Sequence, residues 1–143
     1  MALVTGGSRG IGRATSLLFA RHGAKVVIGD VDSAGEEIAE TIKQDDGEAI
    51  FVQSDVRTES DVKDLIATVV KTYGGLRCAF NNAEILSTTA LLADTDASVF
   101  DSVLAVDLKV GKTQRPVPDF RREFLSPLKN HVHPLPPGDR PNG

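Results

Sequence analysis

Tryptophan is absent from these 143 residues, and cysteine, tyrosine and methionine occur once each. The single cysteine, Cys78, excludes a disulfide framework within the chain and suits a reducing, cytoplasmic setting. It sits in the largely apolar stretch Leu76 to Phe80, where a buried structural thiol is expected. The single tyrosine, Tyr73, falls in register with the apolar stripe of a helix, so it reads as a residue covering the sheet and not as a catalyst. No apolar run approaches the ~18 residues that span a bilayer. The start of the chain has no basic segment followed by a long apolar one, so no signal peptide is expected. Basic residues are outnumbered, 16 Lys and Arg against 20 Asp and Glu, and the net charge of −4 argues against nucleic acid as a partner. His22, His131 and His133 have no Cys or acidic neighbours at ligand spacing, so no metal centre is expected.

Proline is missing from the first 115 residues; all seven lie at 116, 118, 127, 134, 136, 137 and 141. The charge balance breaks in the same region. Residues 1–110 hold 10 Lys and Arg against 17 Asp and Glu, a net of −7, whereas residues 111–143 hold 6 against 3, a net of +3. Two unlike pieces therefore meet near Val110. Residues 1–110 read as one folded domain. Residues 111–143 read as an irregular, disordered tail, because their prolines interrupt helix or strand every few residues. Gly111-Lys112-Thr113 has the look of a P-loop ending, but Val106 stands where the loop's first glycine belongs and no strand leads in.

Within 1–110, short apolar runs alternate with helical patterns. Ala2 to Val4 reads as a strand, and Ile11 to His22 as a helix with Ile11, Ala14, Leu17 and Leu18 on one face, stopped by Gly23. Lys25 to Asp30 is a second strand; its unbroken apolar run suits a parallel strand covered on both sides. Ser33 and Glu36 have capping-box spacing for a second helix carrying Ile38, Ala39 and Ile42, broken at Gly47. Ala49 to Val52 is a third strand. Thr58 or Ser60 caps a third helix, whose stripe of Val62, Leu65, Ile66, Val69, Val70 and Tyr73 is the most regular in the chain. Gly74 and Gly75 end it, Leu76 to Phe80 forms a fourth strand, and a last helix is expected from Ala97 to Lys109. This alternation predicts an α/β fold, a parallel sheet with right-handed crossovers.

The stretch Thr5 to Gly12 is glycine-rich and lies between the first strand and the first helix, where such a loop binds a pyrophosphate. Gly6 lets the chain turn off the strand, Gly10 leaves backbone bare for phosphate, and Gly12 lets the helix pack close to the sheet. The free N–H groups and positive dipole end of the helix then face the anion, with Ser8, Arg9 and Ile11 alongside. A glycine-rich turn can also exist without a ligand. Three further strand ends supply candidates. Asp30 follows Gly12 by 18 residues, where an acid can hydrogen-bond the adenosine ribose of NAD and repel the 2′-phosphate of NADP. Arg9 pulls the other way, since a guanidinium can meet that phosphate; weighed together, the pair favours NAD over NADP. Asp55 can accept from an adenine amino group, or serve simply as a turn residue. Asn81 and Asn82 can contact the cofactor or tie the central strands together.

These residues resemble the short-chain dehydrogenase/reductase family. Thr5-Gly6-Gly7-Ser8-Arg9-Gly10-Ile11-Gly12 resembles its TGxxxGIG loop, Asp30 its acidic cofactor selector and Asp55-Val56 its adenine-contacting pair. Asn81-Asn82-Ala83 resembles its NNAG motif, and Phe100 to Lys109 the helix bearing its active-site Asn. The resemblance implies a Rossmann-like, doubly wound sheet of about four strands in the order 3-2-1-4. It implies an NAD(P)-dependent oxidoreductase of alcohols and ketones, with Gly6, Ser8, Arg9, Gly10, Ile11, Gly12, Asp30, Asp55, Val56, Asn82 and Ala83 at the cofactor. It also implies a small alcohol or ketone as substrate and homo-oligomers among intact relatives.

Three departures qualify that expectation. Glu84 replaces the last glycine of NNAG and brings a negative side chain toward the pyrophosphate, which weakens binding unless it swings to solvent. Asp107 stands where the family's active-site Asn is expected, exchanging an amide donor for an acceptor. The family's Ser and Tyr-x-x-x-Lys do not follow, and no tyrosine occurs beyond Tyr73, so no catalytic residue is assigned and these 143 residues are expected to be inert. The fourth strand is expected to be an open edge carrying Cys78, Ala79 and Phe80. Two accounts of the tail stand side by side. Either a truncation, frameshift or splicing error near Val110 replaces the rest of the domain, or the tail is genuine. In the second case the chain is a non-catalytic dinucleotide-binding or hetero-oligomer subunit.

Overall fold

The computed structural model describes residues 1–86 and 95–108. The proline-rich tail, His131, His133, Gly111-Lys112-Thr113 and the expected helix end at Lys109 lie outside the described residues. The elements run β1 (Ala2–Thr5), α1 (Gly10–Arg21), β2 (Val26–Asp30), α2 (Gly35–Gln44), β3 (Ala49–Gln53), α3 (Glu59–Tyr73), β4 (Cys78–Asn81) and α4 (Ala97–Val103). A π-helical segment, Leu104–Leu108, continues α4. The four strands are parallel, as the alternation of elements predicts, and lie in the order β3-β2-β1-β4 that the resemblance implies.

Alternation along the strands builds two cores. Val4, Val26 and Ile28 point to one face and are fully buried against Ile38, Ala39 and Ile42 of α2. Leu3 and Val27 point to the other and meet Leu65 and Val69 of α3. Burying each such side chain contributes about 1.5–3 kcal/mol. The sheet is thus closed on both faces around β1 and β2, the two strands whose ends carry the glycine loop and Asp30. Tyr73 is half-buried over the second core, as its helical register predicts, with Lys25 Nζ 5.6 Å from its ring centre.

Three local expectations are corrected. On α1 the fully buried positions are Gly12 and Ser16; Ile11, Ala14 and Leu18 face outward, Ile11 at 70% exposure. This helix lies so close to the sheet that small residues are selected, and Ser16 Oγ satisfies itself on Gly12 O at 2.9 Å. Ser33 and Glu36 do not form a capping box: the cap position of α2 is Ala34, and Asp32 Oδ1 accepts from the Ala34 N–H at 3.0 Å. Cys78 is exposed, because among the described residues β4 pairs only with β1 and nothing covers that end of it. In α3, Thr58 takes the cap position without a side-chain bond; Asp61 reaches back to the Asp55 N–H at 3.1 Å instead.

Candidate functional site

The four strand ends converge on the glycine loop. Gly6 turns off β1 at φ +63, and its N–H donates to Gly29 O at 2.8 Å. A Cβ on Gly12 would stand 2.0 Å from Gly6 O, so α1 and the loop touch backbone to backbone. Gly10 has φ +50 and open space where a Cβ would be. Arg9 sits at the cap position of α1 and makes no side-chain cap bond, and no acid lies in the first turn. The first N–H groups of this 12-residue helix are therefore left for an anion.

Asn82 ties β4 to this loop. Its Nδ2 donates to Thr5 O at 3.2 Å and to Gly6 O at 3.0 Å. Thr5 Oγ1 returns the bond, accepting the N–H groups of Asn82 at 3.1 Å and Ala83 at 3.3 Å. Of the two roles open to Asn82, the structure shows the tie; Asn81 is exposed beside it. Thr5, the first residue of the glycine motif, is thus a structural hub between β1 and β4 and not a ligand contact.

Asp30 holds the loop from the β2 side. Its Oδ2 accepts from Ser8 N at 3.0 Å and its Oδ1 from Asp32 N at 3.1 Å. A carboxylate has about four lone-pair sites, so two remain for another donor. Arg9 Nη2 lies 2.6 Å from Asp32 Oδ2. Beyond β3, Asp55 is clamped by Arg57: Nε lies 2.9 Å from both carboxylate oxygens and Nη2 2.5 Å from Oδ2. The Arg57 side chain, through this hydrogen bond above all, holds the Asp55 carboxyl below the usual range. Asp107, in the π-helical segment, accepts the Ile85 N–H on Oδ1 at 3.3 Å.

Gly6, Arg9, Gly10, Ile11, Asp30, Asp55, Val56, Asn82 and Ala83 line one cleft of about 500 Å³, within the range of small-molecule sites. Ser8 and Gly12 are buried and do not line it, nor does Asp107. Glu84 lines its rim and is exposed, so its carboxylate has solvent available and is not forced onto the loop. Val31, Asp32, Ser54, Arg57, Ile85 and Val106 also line the cleft and were not anticipated. Ser54 Oγ is buried with no hydrogen-bond partner among the described residues. No motif marks these positions; Val31, Asp32 and Ser54 could have been found by their place one or two residues beyond a strand end, whereas Arg57, Ile85 and Val106 carry no such signal. The uncapped helix start, the bare backbone at Gly10 and the acid at the end of β2 all fit a dinucleotide.

The family model for short chain dehydrogenase matches residues 1–110. The (+)-cis,cis-nepetalactol synthase of Nepeta racemosa is 43% identical over 112 residues, covering 76% of this chain and 41% of that protein. Tropinone reductase-like 1 of Erythroxylum coca is 39% identical over 112 residues, covering 76% of this chain and 40% of that protein. The crystal structure of a short chain dehydrogenase from Mycobacterium avium superposes with a TM-score of 0.75 at 36% identity, over 78% of this chain and 42% of that one. The chain thus spans about two fifths of the length of the curated relatives it matches. Members of that family are oxidoreductases built on a nicotinamide dinucleotide. With the loop, the strand order and the family model in agreement, this chain belongs to the short-chain dehydrogenase family.

Proposed function

We propose that the chain is the cofactor-binding portion of an alcohol or ketone oxidoreductase, taking NAD in preference to NADP. The observation that carries this reading is the uncapped N-terminus of α1 opening onto a cleft that also holds Asp30, Asp55 and Asn82. The bound dinucleotide supplies hydride chemistry; the protein binds and orients it. The pyrophosphate takes the N–H groups of the loop and the start of α1. Asp30 keeps lone pairs for the ribose hydroxyls, and its charge disfavours a 2′-phosphate. Asp55, fixed by Arg57, accepts from the adenine amino group, with Val56 as an apolar wall. Ile11 and Ala83 flank the path of the cofactor. A small alcohol or ketone is the substrate class, in a cytoplasmic enzyme.

Proton transfer is a separate matter. Tyr73 is the only tyrosine in the sequence and lies over the second core, away from the cleft residues. These 143 residues therefore bind the cofactor and turn nothing over. The competing reading, a non-catalytic dinucleotide-binding or hetero-oligomer subunit, predicts the same inertness and adds a partner. Thermal unfolding with and without NADH tests binding: a ligand at 100 times its Kd adds about 2.7 kcal/mol of stability. Formation of reduced nicotinamide from NAD with a panel of alcohols tests turnover. Stabilisation without turnover supports the proposal; measurable turnover refutes the inert half of it, and no stabilisation at millimolar NADH refutes the binding half.

A further inference from the structure

We propose that Asp32 sets the choice between NAD and NADP in this cleft by holding Arg9, an inference that rests on the dinucleotide reading above. Among the described residues two arginines line the cleft, and no lysine does. Arg57 is taken by Asp55. Arg9 is taken by Asp32, at 2.6 Å, although the Arg9 side chain is 80% exposed and free to reach elsewhere. Asp32 is the fixed member of that pair. Its Oδ1 accepts from Ala34 N at 3.0 Å, its carbonyl oxygen accepts from Ser8 Oγ at 3.0 Å, and its N–H donates to Asp30 Oδ1 at 3.1 Å. The turn after β2 and the glycine loop are thus one hydrogen-bonded unit, and the long arginine is drawn down onto it.

The consequence follows from charge. NAD and NADP differ only in the phosphate on the adenosine ribose, a dianion that needs a free cation. Asp30, Asp32 and Arg9 together leave this end of the cleft at a net −1, and the guanidinium fork of Arg9 already faces a carboxylate. Removing the charge of Asp32 brings the group to neutral and releases the fork. Asp32 therefore acts as a specificity-determining residue through Arg9, independently of the direct repulsion from Asp30.

Asp32→Asn tests this, because its amide oxygen can still accept the Ala34 N–H. Binding of NADH and NADPH is followed by nicotinamide fluorescence. The ratio of NADPH to NADH affinity should rise about tenfold, the scale of one charge-assisted contact. The gain should shrink with added salt and vanish when Arg9→Ala is added to the same chain. Asp32→Ser, whose hydroxyl can take the same N–H, serves if the first variant misfolds. An unchanged ratio with both cofactors still binding overturns the proposal and leaves the dinucleotide reading standing. A wild-type chain that binds neither overturns both.

Discussion

Replacing Gly12 with alanine adds one carbon where there is no room for it. A Cβ built on Gly12 lies 2.0 Å from Gly6 O, 2.8 Å from Gly6 C and 2.7 Å from Asn82 Nδ2. An ordinary C···O contact is about 3.3 Å or longer, so α1 or the loop must retreat by roughly 1 Å. Two of the three atoms are backbone, so no side-chain rotation relieves the clash. Overpacking of this kind costs about 1–3 kcal/mol, and the upper end applies where backbone must move. Alanine's better helix propensity opposes it by about 1 kcal/mol. The net is a loss of about 2 kcal/mol, a large share of the 5–15 kcal/mol that holds a typical domain together. The retreat also stretches the two bonds from Asn82 Nδ2 to the loop. Urea unfolding followed by far-UV circular dichroism reads the effect as a lower midpoint at unchanged slope. Gly10→Ala is the comparison: nothing lies within 4 Å of its Cβ, so it carries only the strain of φ +50, about 1 kcal/mol. A Gly12→Ala chain as stable as wild type, or more so, would refute the reasoning, since helix propensity would then outweigh the contact.

Further outcomes follow from other sites. Asn82→Ala should cost about 1–3 kcal/mol in the same urea assay, because Thr5 O and Gly6 O lose their donor, and Asn82→Asp should cost more, because a carboxylate would face both carbonyls. Burial pushes the Tyr73 hydroxyl above its ordinary 10.0; Glu48 adds to this, while Lys25 and Lys43 oppose it. As the only tyrosine in a chain without tryptophan, it can be titrated by phenolate absorbance alone, with a midpoint above 10.0 when folded that falls back toward it in urea. Its contribution to stability is full below 10.0 and is lost as pH rises through the higher, folded value. Asp55 has the opposite sign: with its carboxyl held below 3.8 by Arg57, its contribution is present above that value and lost as pH falls through the lower, folded one. Asp55→Asn should therefore flatten the acid side of the stability curve below about pH 4. Cys78 is exposed, so a chromogenic disulfide reagent should titrate one thiol per folded chain at nearly the unfolded rate; a protected thiol would contradict the open end of β4.

The glycine loop and the parallel, doubly covered sheet were legible because they follow from local necessity, while the order of its strands came from the resemblance. A chain that must turn at positive φ and let a helix approach backbone to backbone needs glycine at 6 and 12, and an unbroken Val26-Val27-Ile28 run needs cover on both faces. The face of α1 was not legible for the same reason. Apolar periodicity marks Ile11, Ala14 and Leu18, yet close approach selects Gly12 and Ser16, and small size carries no hydrophobic signal. Ser33 and Glu36 had capping-box spacing, but the Glu36 N–H donates to the Ser33 backbone carbonyl at 3.0 Å and the helix starts one residue later, with Asp32 accepting the Ala34 N–H. At the site, most residues named by motif line the cleft; Ser8, Gly12 and Asp107 do not. Its ion pairs, Arg9 with Asp32 and Arg57 with Asp55, depend on where turns place long side chains and left no mark in spacing. Cys78 misled because an apolar stretch predicts burial only when a neighbour covers the strand.

Calorimetric titration of NADH into the 143-residue chain tests the central claim most directly. A cleft built from the uncapped start of α1, the glycine loop and Asp30 predicts a saturable heat with one site per chain, and weaker binding of NADPH. No heat of binding at millimolar NADH, from protein that unfolds cooperatively in the same buffer, would contradict the account.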